Sequence, residues 1–229
     1  MNPNPNISQI ASLVSDASRA AILTALLDGR YHPAGELAHM ANIKPQTASF
    51  HLSKMVTANL VTVEKQGRHR YYGIANQEVA QIMETLLSIS PPVEIRSLNQ
   101  ALEHKAIRHA RTCYDHLAGS LGIQLTDSLL SAGVLSDVGD QFTVTEKGVA
   151  FFQTFQIDLG RVKKKRRSFT HRCLDWSERR HHLAGALGHA LLERLLELAW
   201  IQRMPKTRAI SITPEGKRGL KETFHIDIE

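Results

Sequence analysis

The sequence has only two cysteines and lacks a hydrophobic run long enough to cross a lipid bilayer. A membrane-spanning helix needs about 20 consecutive apolar residues, so we expect no transmembrane segment. The first residues also lack the basic stretch and apolar core of a secretory signal peptide. Two cysteines make no disulfide framework, and we expect both to be reduced thiols in a cytoplasmic protein.

Motifs of several common enzyme classes are missing as well. The chain contains no glycine-rich phosphate loop, no Gly-x-Ser-x-Gly and no His-Glu-x-x-His. We therefore do not expect an enzyme. Its charge balance is positive instead, with 28 Lys and Arg against 22 Asp and Glu and a net charge of +6. This excess favours an anionic partner, and nucleic acid is the first candidate.

The segment 7–89 carries one coherent pattern of helices followed by a hairpin. Apolar residues recur at helical spacing as far as Asn59, and Pro45 suits the first position of the last of these helices. The segment 60–74 reads as two strands joined by a turn at 66–69, with a further helix near 77–87. Helix, turn, helix and two-stranded wing is the order of a winged helix-turn-helix, whose second helix fits the major groove of DNA.

The polar side chains of that second helix and of the wing are the candidate DNA contacts. We expect its apolar side chains to face the core, namely Phe50, Leu52, Met55 and Val56. Gln suits adenine, Lys suits guanine, and wing cations suit phosphates or the minor groove. The predicted DNA-binding residues are Lys44, Gln46, Thr47, Ser49, His51, Lys54, Arg68, His69 and Arg70.

A break at 88–92, rich in Ser and Pro, divides the chain. We predict a DNA-binding and dimerisation domain at 1–89 and a regulatory domain at 90–229. The second domain repeats itself, because 116–122 (HLAGSLG) matches 182–188 (HLAGALG) and two further blocks match downstream in the same order. The predicted fold is mainly α with small β-hairpin wings, and the second domain holds two winged-helix-like copies at about 98–160 and 168–229.

Between the two copies lies a run of like charges at 161–167 (RVKKKRR). Such a run is typical of a solvated linker. It also suits an arm that contacts phosphates, because Lys and Arg clusters release counterions from DNA. The sequence leaves both interpretations open.

The first domain resembles the ArsR/SmtB-type winged-helix repressors. The resemblance rests on the segments 16–23 (DASRAAIL), 35–38 (GELA), 46–52 (QTASFHL), 60–61 (LV) and 67–72 (GRHRYY). It implies a homodimer paired through the first helix and the helix near 77–87, with two recognition helices in successive major grooves. It also implies repression that a small effector relieves.

The metal sites of that family do not carry over to this chain. Many members bind metal through a Cys-x-Cys pair in the helix before the recognition helix, where this sequence has 37–40 (LAHM). Others use acidic and histidine ligands in the last helix of the domain. Here the segment 76–87 has no histidine and only Glu78 and Glu84 as acids.

Both cysteines lie in the second half instead. Cys113 and His116 are three residues apart, which would place them on one face of a helix. If the two copies pack about a pseudo-twofold axis, they converge with Cys173 and His182. Two thiolates and two imidazoles suit tetrahedral zinc or a similar soft ion. The candidate metal ligands are thus Cys113, His116, Cys173 and His182; buried structural thiols, oxidation-sensitive thiols and an organic ligand remain as alternatives.

Together these patterns predict a sequence-specific DNA-binding transcriptional regulator. We expect a cytoplasmic homodimeric repressor that binds double-stranded operator DNA. A small effector, such as a zinc ion, would release it by binding the C-terminal domain. The alternative is a constitutive DNA-binding or architectural protein whose C-terminal half is a protein-interaction module.

Overall fold

The structure is a computed structural model, and it describes residues 4–139 and 141–228. The chain divides into two compact units, the first ending at Glu84 and the second beginning at Thr85. This division lies within the helix Gln77–Ile89, whereas the predicted boundary coincides with the end of that helix.

The first unit contains helices and one small sheet. Strand β3 lies between β1 and β2, and all neighbours are antiparallel. The elements in chain order are α1 (Ile7–Val14), α2 (Ala17–Ala25), a 3-10 turn (Leu26–Asp28), β1 (His32–Pro33), α3 (Ala34–Met40), α4 (Pro45–Thr57), β2 (Val61–Gln66), β3 (His69–Ile74) and α5 (Gln77–Ile89). Local sequence accounts for the helix ends: the Asp16 carboxylate accepts a hydrogen bond from the Arg19 backbone N–H and caps α2.

The core of this unit lies where α2, α3 and α4 pack together. The side chains of Ile22, Leu37 and Leu52 are fully buried there. No single helix in the described part of the chain is long and apolar enough to cross a membrane. One pair of consecutive helical segments, α1 and Ala17–Asp28, is long and apolar enough when the two are taken together, but the pair is bent by 85°. The apolar side chains of that second segment form the core.

Two predictions about the faces of α4 were wrong. Phe50, predicted to face the core, is 57% exposed, and His51, predicted to face DNA, is only 8% exposed. The inner face of α4 is set by Ala48, Leu52 and Met55, which are fully buried. Because successive helical residues are about 100° apart, His51 falls on that inner stripe and Phe50 falls outside it.

The second unit shows one order of elements twice: helix, hairpin, helix, hairpin, helix. The elements are α6 (Leu98–His109), β4 (Arg111–Cys113), β5 (His116–Ala118), α7 (Ser120–Ser131), β6 (Leu135–Val138), β7 (Gln141–Val144), α8 (Glu146–Thr154), α9 (Leu159–Lys163), β8 (His171–Leu174), β9 (His181–Ala184), α10 (Gly185–Glu197), β10 (Ile201–Arg203), β11 (Ile210–Ile212) and α11 (Pro214–Phe224). The predicted copies held one hairpin each, so the leading hairpin β4–β5 and its counterpart β8–β9 were missed.

The two halves of this unit interlock. Helix α10 packs on β5, α7 packs on β9, and β5 lies beside β9. Two glycines of the repeated motif lie at this contact: a Cβ added at Gly122 would lie 3.9 Å from the Cβ of His182, and one added at Gly188 would lie 3.3 Å from the Cβ of His116. The shared core is apolar and includes Leu121, Leu125, Leu187, Leu192 and Phe152.

The basic run at 161–167 is anchored rather than fully solvated. Its first residues belong to α9, which the Asp158 carboxylate caps by accepting from the Arg161 backbone N–H. Val162 is buried in the core of the unit, whereas Arg161 before it and the lysines after it are exposed. At the other end, Arg167 forms an ion pair with Asp115.

Candidate nucleic-acid interface and Cys/His cluster

Helix α4 and the wing formed by β2 and β3 line one groove in the first unit. Its lining includes Ser49 and Ser53 of α4 together with Lys65, Arg68 and Arg70 of the wing. Five of the predicted α4 contacts are exposed: Lys44, Gln46, Thr47, Ser49 and Lys54. The Lys54 ammonium lies over the Phe50 ring, 4.3 Å from its centroid, so this ring supports a cation at the surface.

The wing presents closely spaced positive charges. Lys65 and Arg70 are directly opposed across the hairpin, and Arg68 and His69 are exposed at its tip beside Gly67 (φ 60°). Like charges placed opposite one another destabilise a strand pair. An anion between them removes that repulsion, so the wing is suited to a phosphate backbone.

His51 does not reach this groove. Its Nδ1 lies 3.3 Å from the Arg19 guanidinium, and its Nε2 lies 3.9 Å from the Asp16 carboxylate. Arg19 in turn donates to the Leu13 and Ser12 carbonyl oxygens at the end of α1. His51 therefore joins α4 to the start of α2, and its placement as a DNA contact was wrong.

In the second unit, the two leading hairpins bring both cysteines and two histidines together. Cys113 lies opposite His116 across β4 and β5, and Cys173 lies opposite His182 across β8 and β9. The prediction that Cys113 and His116 share a helix face was wrong, because a hairpin makes them cross-strand neighbours. One ligand atom from each of the four residues lies within 4.8 Å of the others.

The cluster is compact and almost closed to solvent. The Nε2 atoms of His116 and His182 are 3.1 Å apart, and the Sγ atoms of Cys113 and Cys173 are 3.7 Å apart. Cys113, His116 and His182 are buried, Cys173 is partly buried, and both thiols are reduced. The Nε2–Nε2 distance is within hydrogen-bonding range when one of the two nitrogens carries a proton.

Each histidine of the cluster has a carboxylate on its other side. His116 Nδ1 lies 3.4 Å from Asp115 Oδ1, and His182 Nδ1 lies 3.6 Å from Asp175 Oδ2. The buried Asp175 also pairs with Arg111 at 3.0 Å and accepts from the Gly119 backbone N–H at 2.7 Å. Both carboxylates are thus held in place by an arginine.

These contacts shift the pKa values of the two imidazoles in opposite directions. Burial disfavours the charged form of both rings, but the Cys113 thiolate and the Asp115 carboxylate raise the pKa of His116 to about 10. Burial and the neighbouring His116 hold the pKa of His182 well below its usual value. The pair therefore holds one positive charge, centred on His116.

Comparison with known proteins places the chain in a family. A family model described as a helix-turn-helix domain matches residues 14–64. The sequence is 54% identical over 225 residues to the HTH-type transcriptional regulator YdfF of Bacillus subtilis, covering 98% of this chain and 100% of that protein. This chain belongs to the HTH-type transcriptional regulators. It is therefore a DNA-binding transcriptional regulator, and its relatives are named as regulators rather than as enzymes.

Other relatives match a smaller part of the regulator. The HTH-type transcriptional regulator CmtR of Mycobacterium bovis is 30% identical over 83 residues, covering 36% of this chain and 70% of the relative. A solution structure of the homodimeric winged helix-turn-helix domain of Mb0332 from Mycobacterium bovis, a possible ArsR-family regulator, shows 20% identity. Its TM-score is 0.34, with 39% of this chain and 87% of that chain covered. The predicted helix-turn-helix regulator family is confirmed by the full-length relative, and the first unit itself has the predicted helix-turn-helix and wing.

Sequence reasoning missed two features of the regulator. One is the pair Asp115 and Asp175 behind the histidines, for which the matched Cys-x-Asp triplets at 113–115 and 173–175 were the available signal. The other is a buried cluster in the first unit, where His32 donates to Asp28 at 2.9 Å and to Glu36 at 3.0 Å. Burial opposes the charge on His32, but the Asp28 and Glu36 carboxylates raise its pKa.

Proposed function

We propose that the regulator is a homodimeric, sequence-specific repressor that holds operator DNA with α4 and the wing of each subunit. The observation that carries this proposal is the groove shared by the exposed face of α4 and the basic wing. A helix next to a cationic hairpin provides base contacts and phosphate contacts from one rigid surface.

Within this surface the side chains have different roles. Gln46, Ser49 and Lys54 project from α4 and read base edges, since amides suit adenine and ammonium groups suit guanine. Lys44 and Thr47 at the start of the helix contact phosphates, which helix N-termini favour. The wing residues Arg68, His69 and Arg70 contact the backbone or the minor groove.

A second copy of the chain is the partner that the apolar faces of α1 and α5 suit. Ile7 is 81% exposed, and Ile82 and Ile89, two turns apart on α5, are 56% and 74% exposed. Residues seven apart share one helix face, so Ile82 and Ile89 form a stripe along α5 that pairing would cover. A dimer places two recognition helices one DNA turn apart, as a palindromic operator requires.

Relief of repression comes from an effector, such as a zinc ion, that binds the second unit. The Cys/His cluster supports this proposal. The sequence of the first unit has neither the Cys-x-Cys pair nor the acidic and histidine ligands with which ArsR/SmtB-type repressors bind metal. The reduced state of both thiols fits a cytoplasmic protein.

The test is fluorescence anisotropy of the reduced full-length protein on a duplex from its own promoter. A scrambled duplex of equal composition is the control, and both are measured at several salt concentrations with and without zinc. A specific repressor binds the promoter duplex about 10³-fold or more tightly than the scrambled one. Equal affinity for both, unaltered by zinc, would instead indicate an architectural DNA-binding protein whose second unit binds another protein.

A further inference from the structure

Two distances within the Cys/His cluster match edges of a metal coordination tetrahedron. A tetrahedral ion bonded at about 2.3 Å to sulfur and about 2.0 Å to nitrogen holds two sulfurs about 3.8 Å apart and two nitrogens about 3.3 Å apart. The Sγ atoms of Cys113 and Cys173 are 3.7 Å apart, and the Nε2 atoms of His116 and His182 are 3.1 Å apart. Two edges of the four-donor set thus have tetrahedral lengths, and all four donors lie within 4.8 Å of one another.

The surroundings of the histidines favour the same arrangement. Histidines that bind metal usually donate their second ring N–H to a carboxylate, which fixes the tautomer and orients the ring. Asp115 and Asp175 occupy these positions for His116 and His182. Moreover, His182 Nδ1 is fully buried and has no hydrogen-bond partner among the described residues, so its ring has room to complete that bond to Asp175.

The donor set also selects a class of metal. Thiolates with imidazoles prefer zinc and similar soft or borderline ions, whereas magnesium, calcium and manganese prefer oxygen ligands. With four protein ligands in a mostly buried site, the coordination shell is closed, as in structural or sensing sites rather than catalytic ones.

We propose that Cys113, His116, Cys173 and His182 form a tetrahedral site for one thiophilic metal ion such as Zn²⁺, with Asp115 and Asp175 positioning the two imidazoles. Metal binding at this site does not depend on whether the protein binds DNA. Its role as the effector site rests on the proposed function. The ion bonds to both hairpins, and therefore ties the two interlocked halves of the second unit together.

Cobalt titration of the reduced full-length protein tests the site directly, because Co²⁺ reports its ligands by colour. We expect one equivalent per chain, a thiolate-to-cobalt charge-transfer band, and the intense visible bands of tetrahedral cobalt. Zn²⁺ or Cd²⁺ should bleach these bands, whereas a large excess of Mg²⁺ should not. The chain has two cysteines, so any charge-transfer band reports Cys113 or Cys173.

Substitutions separate coordination from folding. Cys173→Ser, at the most accessible ligand, and His116→Gln should each remove the tetrahedral spectrum while far-ultraviolet circular dichroism remains native. Asp115→Asn should lower zinc affinity by about 10- to 100-fold, measured by chelator competition, and keep the tetrahedral bands. His181→Gln, next to a ligand, and Asp127→Asn, an exposed partner of Arg180, are the matched controls and should leave affinity within twofold.

Failure of the site and failure of the proposed function are distinguishable. Octahedral cobalt spectra, or unchanged tetrahedral bands in Cys173→Ser, would overturn the metal site. A Cys113–Cys173 disulfide that persists in the presence of reductant, so that the protein binds no metal, would also overturn it. Tight zinc binding with unaltered affinity for the promoter duplex would uphold the site and overturn its role as the effector site.

Discussion

Gly188 lies directly against the side chain of His116: a Cβ added to the glycine would come within 3.3 Å of the histidine Cβ. The same Cβ would lie 2.6 Å from the carbonyl oxygen of Leu183, where backbone must move to admit it. We therefore expect Gly188→Ala to lower the free energy of unfolding of the second unit by about 1–3 kcal/mol, measured by urea denaturation.

Gly35→Ala is the control for that substitution. Gly35 is also helical, but an added Cβ there meets nothing within 4 Å. Alanine has the higher helix propensity, so this change should leave stability unaltered or raise it by up to about 1 kcal/mol. Equal stability of Gly188→Ala and the native chain would contradict the close packing of α10 against β5.

Replacing Arg68 and Arg70 with Ala should weaken binding to all DNA sequences alike. Each phosphate contact contributes about 0.9 to the slope of log affinity against log salt, so the double variant should lose roughly 2 from that slope. Arg218→Ala, which removes an exposed arginine of α11, is the control. An unchanged slope in the double variant would remove the wing from the DNA interface.

Gln46→Ala should instead reduce discrimination between operators. A bidentate contact to adenine contributes about 1–3 kcal/mol of base preference, and its loss should appear at one base-pair position in each half-site. Anisotropy on a panel of single-base operator variants measures this. If every operator lost affinity equally, Gln46 would be a phosphate-positioning contact.

Ile82→Glu should dissociate the dimer. The charge would fall on the exposed apolar stripe of α5, where burial without a partner is strongly unfavourable. Sedimentation velocity should show monomer, and affinity for a two-half-site operator should drop. Val138→Glu alters a similarly exposed apolar side chain in the wing of the second unit, and it should remain dimeric.

His32 should make the first unit more stable at neutral than at alkaline pH. Its pKa is raised in the folded state, so its contribution is complete below the usual value of about 6.5 and is lost as pH rises through the folded-state pKa. His32→Gln should lower stability by about 1–3 kcal/mol at neutral pH and flatten this dependence.

Urea midpoints across neutral and alkaline pH measure the effect of His32. The exposed His39→Gln is the control and should retain the native pH profile. A native profile in His32→Gln would show that the buried imidazole does not carry the proton.

The sequence predicted the helix-turn-helix and wing well because their signals are local: Pro45 at a helix start and alternation around Gly67. It misplaced Phe50 and His51, since an aromatic ring and an imidazole were assigned by polarity, while the partners of His51 lie on α2, far along the chain. Position on the helix outweighed residue type for both side chains.

The Cys/His cluster was only partly predictable for a related reason. Spacing of three residues between Cys113 and His116 suits a helix face and equally a tight hairpin. Tyr114 adopts a positive φ of 58° in that turn, a conformation that Gly or Asn would have signalled and Tyr does not. The repeated motif nevertheless identified all four residues, because their equivalence in the two copies does not depend on local conformation.

The interlocked helices of the second unit also have a consequence for biosynthesis. Since α7 packs on β9 and α10 on β5, the first half has no complete core until the second half has left the ribosome. From Ser131 at the end of α7 to Glu197 at the end of α10, the ribosome adds roughly 66 residues, which takes about 3–13 seconds. For a similar time after α7 emerges from the ribosome, its contacts with β9 cannot all form, and translation speed sets the length of that delay.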